Sequence, residues 1–98
     1  MKRDVSYLQF LRKSLRDPKE AAHYLSAALE EEDPAVFLLA LKDVAQAHGG
    51  MTRIAKKCGL NRVSMYRMLS ERGNPALLGV EHLLNAMGLH FVVTPKGI

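Results

Sequence analysis

The sequence predicts an all-α fold: five helices with a central helix-turn-helix, followed by one short C-terminal β-strand. Three observations predict it. Apolar residues recur at helical spacing through most of the 98 residues. Two Asp-Pro pairs, Asp17-Pro18 and Asp33-Pro34, stand where helices should open, because aspartate caps the first turn and proline suits the first helical position. Residues 51–70 read as two short helices hinged at Gly59, a residue that tolerates the positive φ of a sharp turn.

The elements follow in order. From Val5 to Arg16, Leu8, Leu11 and Leu15 fall on one helical stripe, with Tyr7 and Phe10 adding apolar surface. The second helix starts at Asp17-Pro18-Lys19-Glu20, where Glu20 can reach back to the cap, and buries Ala21, Ala22, Leu25, Ala28 and Leu29. The third opens at Asp33-Pro34, turns Phe37, Ala40, Leu41, Val44 and Ala45 inward, and ends at Gly49-Gly50. Within the motif, Ile54, Cys58, Leu60, Met65 and Met68 are spaced to fill a small core, and Ala55 is small where two helices cross. Gly73-Asn74-Pro75 stops the second arm. The last helix places Val80, Leu83, Leu84 and Met87 inward and ends at Gly88.

Residues 89–95 read as the strand: Leu89, Phe91 and Val93 face one side, His90, Val92 and Thr94 the other, and Pro95 stops the pattern. A lone strand leaves its backbone groups unpaired. The same strand of a second copy would pair it, making a homodimer through Leu89, Phe91 and Val93. The alternative is an extended tail packed on the helices.

Charge divides the chain. Residues 1–16 carry +4, residues 17–48 carry −5 and residues 49–98 carry +5, for a net charge of +4. The helix-turn-helix half is therefore basic, as phosphate neutralisation requires, and DNA would repel the acidic middle. On the second arm, Arg62, Val63, Tyr66, Arg67 and Ser70 share the side away from the core, a placement suited to a DNA major groove. Asn61 is expected to cap that arm. Thr52 and Arg53 open the preceding helix, where an anion is favoured. Any one of these arginines alone would be an ordinary solvated charge; the set carries the expectation. The acids Glu30, Glu31, Glu32 and Asp33 stabilise the start of the third helix, and they can also form a docking patch for a basic protein.

Composition narrows the classes. The expectation is a single domain over residues 1–98, with N-terminal helices in 1–48, the helix-turn-helix region in 49–88 and the strand in 89–95. One cysteine allows no internal disulfide, no leader-like segment opens the chain, and no apolar run approaches a membrane span. A cytoplasmic location with no membrane partner is expected. The four histidines are scattered without metal-ligand spacing, and there is no phosphate loop or dinucleotide fingerprint. Neither a metal, nor a cofactor, nor enzyme chemistry is expected.

Taken together, residues 15–25, Ala27-Ala28-Leu29-Glu30, Asp33-Pro34, residues 39–45, Gly49-Gly50-Met51, the motif itself, residues 69–75 and residues 84–89 resemble the HigA-type, Xre/Cro-like antitoxins of bacterial addiction modules. The resemblance spans almost the whole chain. It implies two activities: neutralising a RelE/ParE-like (HigB-type) toxin, usually a small basic ribonuclease, and repressing the module's own promoter by binding operator DNA. The DNA-binding residues it implies are those already chosen: Thr52, Asn61, Arg62, Tyr66, Arg67 and Ser70. One departure is Met51, where Xre proteins often place a phosphate-bonding glutamine. For the toxin the family transfers no site. Charge and exposure suggest Tyr7, Phe10, Glu30, Glu31 and Glu32. Two other functions fit the same residues: an autonomous Xre-family repressor without a toxin, and a protein-binding module with a vestigial DNA face.

Overall fold

A computed structural model describes residues 3–70 and 75–97. Its elements are α1 (Val5–Leu15), α2 (Pro18–Glu30), α3 (Pro34–Ala47), α4 (Met51–Lys57), α5 (Arg62–Met68) and α6 (Leu77–Ala86). Among the described residues the helices number six, not five, counting each arm of the motif, which the sequence already reads as two helices hinged at Gly59, as a helix of its own. Gly73 and Asn74 of the expected stop lie outside the described residues.

The first three helices open alike. The side chain of Asp4 accepts from the N–H groups of Ser6 and Tyr7, Asp17 from Lys19 at 2.9 Å, and Asp33 from Ala35 at 3.0 Å. Each aspartate satisfies a donor left free at the helix start and sets a negative charge against the positive end of the dipole. Pro18 and Pro34 occupy the first turn, as the sequence predicts. Between α2 and α3 the chain turns through Glu32, a non-glycine residue with left-handed backbone (φ 57°).

Helix α3 is the centre of the fold. It packs against α1, α2 and α4, and it buries Leu38, Ala40, Leu41, Val44, Ala45 and Asp43. The core continues through Leu11 and Leu15 of α1, Ala21, Leu25 and Ala28 of α2, Ile54 and Ala55 of α4, Met65 and Leu69 around the end of α5, and Val80, Leu83, Leu84 and Met87 of α6. Fully burying side chains of this size is worth roughly 1.5–3 kcal/mol each. That burial is what holds α4 and α5, since seven-residue helices are not stable alone.

At Gly59 (φ 73°) the N–H of Leu60 returns to the carbonyl of Ala55 (2.9 Å) and that of Gly59 to Lys56 (3.1 Å). This double closure ends α4 and needs the left-handed conformation glycine adopts freely. The same closure at Gly88 ends α6, with Leu89 N–H on Leu84 and Gly88 N–H on Asn85. Past Gly59 the chain leaves the core, so Leu60 sits at the surface and Cys58 is only half-buried, contrary to the expectation that both fill the motif's interior. Met51, Ile54, Ala55, Met65 and Leu69 fill it instead.

Among the described residues no strand forms. The segment expected to be one is without regular secondary structure from Leu89 onward, with Leu89 and Phe91 packed against the core. Within one chain there is no second strand to complete a ladder, and the side chain of Glu81 takes the Phe91 N–H at 3.1 Å. No described helix is long and apolar enough to cross a membrane.

Candidate functional site

Helix α5 starts at Asn61, whose side-chain oxygen accepts the Ser64 N–H at 2.8 Å, so the expected cap is made. With Met65 buried, the helical period turns Arg62, Val63, Tyr66 and Arg67 outward, and all four are exposed. The Arg62 guanidinium lies 5.4 Å from the Tyr66 ring centroid. Such a stack is worth about 0.5–1 kcal/mol at an exposed site, and it limits the conformations open to Arg62. Ser70 is half-buried, and its hydroxyl donates to the Arg67 carbonyl at 3.1 Å, so that donor is already used within the helix end.

Helix α4 presents Thr52 and Arg53 at its start and Lys56 and Lys57 at its end, all exposed. From Val44 to Ser70 the sequence holds five Lys and Arg residues and no Asp or Glu. Each of the five cations is exposed, and among the described residues none is in an ion pair. Among the described residues, therefore, the two short helices expose charge of one sign with no acid paired to it.

The acidic residues gather elsewhere. Glu30, Glu31, Glu32 and Asp33 are all exposed at the α2–α3 turn. Tyr7 and Phe10 are exposed on α1, Phe10 at 70%. Phe10 lies one turn beyond Tyr7 along α1.

Sequence reasoning missed a polar cluster beside this surface. Asp43, 7% exposed in the middle of α3, receives two hydrogen bonds from Arg3 (2.9 and 2.8 Å) and one from the Tyr24 hydroxyl (2.6 Å). Burial first, and then the bond to Asp43, holds the Tyr24 proton above the ordinary tyrosine range. The carboxylate bonds likewise stabilise the charged form of Arg3. One signal was available: Asp43 is a lone acid on the face of α3 that also carries Ala40 and Val44. A second missed contact joins the ring Nε2 of His48 to the Leu15 carbonyl at 2.9 Å, fastening the end of α3 to the end of α1.

Of the three residues expected at a dimer interface, Leu89 and Phe91 pack on their own helices, while Val93 is 97% exposed. Val92 beside it is also exposed. Between this tail and α2 runs an apolar groove of about 540 Å3, floored by Leu25, Phe37 and Leu84. Burial raises the pKa of the Cys58 thiol, which disfavours the reactive thiolate. Among the described residues no three His, Cys, Asp or Glu side chains gather as a metal site.

A basic face on two short helices and an acidic turn on two long ones are thus separate surfaces of one molecule. Residues 7–95 match the family described as "Probable addiction module antidote protein". The chain belongs to this family. An uncharacterized protein of Haemophilus influenzae strain Rd is 35% identical over 79 residues, which is 81% of this chain and 80% of that one. No solved structure gives a significant match. Membership of an antidote family implies a toxin partner, and it reaches from α1 to the C-terminal tail, so both surfaces lie within it.

Proposed function

We propose that this antidote protein is the antitoxin of a type II toxin–antitoxin module of HigA type, that it neutralises a RelE/ParE-like (HigB-type) toxin, and that it represses its own promoter through an Xre/Cro-like helix-turn-helix. The observation that carries the DNA half of this reading is the exposed, unpaired cationic face of α4 and α5. In it α5 is the recognition helix. Arg62 and Arg67 are the base readers, since bidentate arginine on guanine is the commonest specific contact. Thr52, Arg53 and the flanking lysines hold phosphates and set the register. Tyr66 orients Arg62, and Asn61 keeps an amide N–H free for DNA while its oxygen caps the helix.

The active form is a homodimer on a near-palindromic operator, with its two recognition helices about 34 Å apart. Exposed Val92 and Val93 support pairing of two tails across the two-fold axis, because an apolar segment with open backbone groups is a natural edge for a second strand. Leu89 and Phe91 then anchor each tail to its own subunit.

Co-purification of the tagged chain from its native host, with stoichiometry, tests the toxin half. A small basic protein at one-to-one is the expected result, and a clean chain that binds operator DNA without a partner would move the function to an autonomous repressor. Salt dependence of operator binding tests the DNA half. Three phosphate-holding cations per chain, Arg53, Lys56 and Lys57, predict a log–log slope of about −3 per subunit, at about 0.9 per neutralised phosphate. A salt-independent affinity would leave a protein-binding module with a vestigial DNA face.

A further inference from the structure

We propose that the toxin seat is the outer face of α3 where it meets α2: a shallow apolar depression, acidic at one end, that receives an apolar side chain from a basic segment of the toxin. This rests on the antitoxin reading above. The depression has a volume of about 210 Å3, with Tyr24 and Ala27 on the α2 side, Val36 and Leu39 on the α3 side, and Glu31 at the rim. Val36 and Leu39 are 37% and 46% exposed, two large apolar residues left open in the first two turns of α3. Both also border a second hollow of about 190 Å3 across α3, beside Leu69 at the end of α5. They therefore form a ridge between two hollows, a relief that interlocks with protruding apolar side chains.

Two features make this a seat rather than a gap. Its wall is fixed in advance, because the Tyr24 hydroxyl is tied to Asp43, which is itself held by Arg3, so little ordering remains to be done on binding. Its charge selects the occupant. Residues 17–48 carry −5, with Glu30, Glu31, Glu32 and Asp33 exposed at the near end. DNA phosphates are repelled there, while a basic partner is steered in and held. Among the described residues the one cation bordering the pair of hollows is Lys42, on the far side of the ridge. Relative to the sequence expectation, the acids remain, and Tyr7 is not among the residues that line the depression. Phe10, however, gives way to Val36 and Leu39 as the apolar anchor.

The test uses the full-length chain and the toxin identified by mass spectrometry in the one-to-one complex, then produced separately. Affinities are measured by calorimetry for wild type, Ala27→Arg, Val36→Thr/Leu39→Gln, Glu31→Lys and Phe10→Ala. Circular dichroism melts confirm that each variant folds; Ala27→Arg adds a good helix former at an exposed position and provides an independent check. Ala27→Arg and the Val36/Leu39 double variant should each lose about tenfold or more in toxin affinity, Glu31→Lys should also lose affinity, and Phe10→Ala should lose least. If the folded double variant and Ala27→Arg bind toxin as wild type does, the seat is overturned while the antitoxin reading stands. If these variants shift only the self-association of the chain, the occupant is a second copy, and the seat is likewise overturned. If no one-to-one partner exists, both the reading and the seat fall.

Discussion

Helices α1, α2 and α3 have 11, 13 and 14 residues, and each is opened by an aspartate side chain; α4 and α5 have seven residues each, and α4 begins at Gly50 with no side-chain cap. The longer helices carry much of their own definition in local signals. The short pair depends on burying Ile54, Ala55, Met65 and Leu69 in a core built largely by the others. Charge divides along the chain as well, +4 over residues 1–16, −5 over residues 17–48 and +5 over residues 49–98, so that α2 and α3 are the acidic elements. A short, tightly turned pair of helices, held by a few buried residues, thus leaves its outer surface free to carry five cations beside Thr52, Val63 and Tyr66. Asp4, Asp17 and Asp33 stand at helix starts and stabilise them, whereas Glu30 and Glu31 close the C-terminal end of α2.

The most severe way to break this comparison is to remove the anchor of the short pair. Ile54→Ala deletes a side chain with no exposure and should cost about 2–5 kcal/mol in urea denaturation. A loss below about 1 kcal/mol would mean that α4 is held by something other than its burial. The next largest effect concerns the outer surface of that pair. Arg67→Ala should lose about 1–3 kcal/mol at the operator with little change on unrelated DNA, measured by mobility shift at fixed salt. A uniform loss on all sequences would assign Arg67 to phosphate.

Smaller effects sharpen the division at the helix ends. Asn61→Ala should lower stability by about 1 kcal/mol, because the Ser64 N–H loses its acceptor, whereas Asn61→Ser should restore most of that stability. If operator affinity falls equally in both variants, the Asn61 amide acts on DNA as well as on the helix. In the acidic half, Glu32 occupies left-handed backbone, so Glu32→Gly should raise stability by about 1 kcal/mol in thermal melts. A destabilised variant would show that the Glu32 side chain contributes more than its backbone costs.

The smallest effect appears only in alkali. The folded-state pKa of Tyr24 is raised above its unfolded value of about 10. Its contribution to stability is therefore fully present below pH 10 and is lost as pH rises above that, since the unfolded chain releases the proton first. Absorbance titration near 295 nm should show a late tyrosine step that is missing in Tyr24→Phe. Its presence in that variant would place the late step on another tyrosine.

The three N-terminal helices were legible in the sequence because Asp-Pro pairs and apolar spacing act within a few residues. Pro18 and Pro34 open helices where expected, and Val80, Leu83, Leu84 and Met87 all face inward as read. The motif's outward residues were legible for the same reason: once Met65 is buried, the helical period places Arg62, Val63, Tyr66 and Arg67 opposite it. Leu60 and Cys58 were misplaced because the left-handed turn at Gly59 interrupts that period. The contact of Arg3 with Asp43 spans 40 residues and depends on how α1 crosses α3, which no local pattern encodes.

By itself, then, the sequence determined where helices start, which faces are apolar and how charge divides between the halves, since these follow from side-chain chemistry over one or two turns. Only the tertiary structure decided that residues 89–97 form an irregular tail pinned through Phe91 to Glu81, that Asp43 is buried with two partners, and that Val36 and Leu39 stay open between hollows. Each of those outcomes depends on which distant surfaces meet. Apolar side chains are attracted to any core, and only the packing of neighbouring helices settles which of them reach it and which remain exposed.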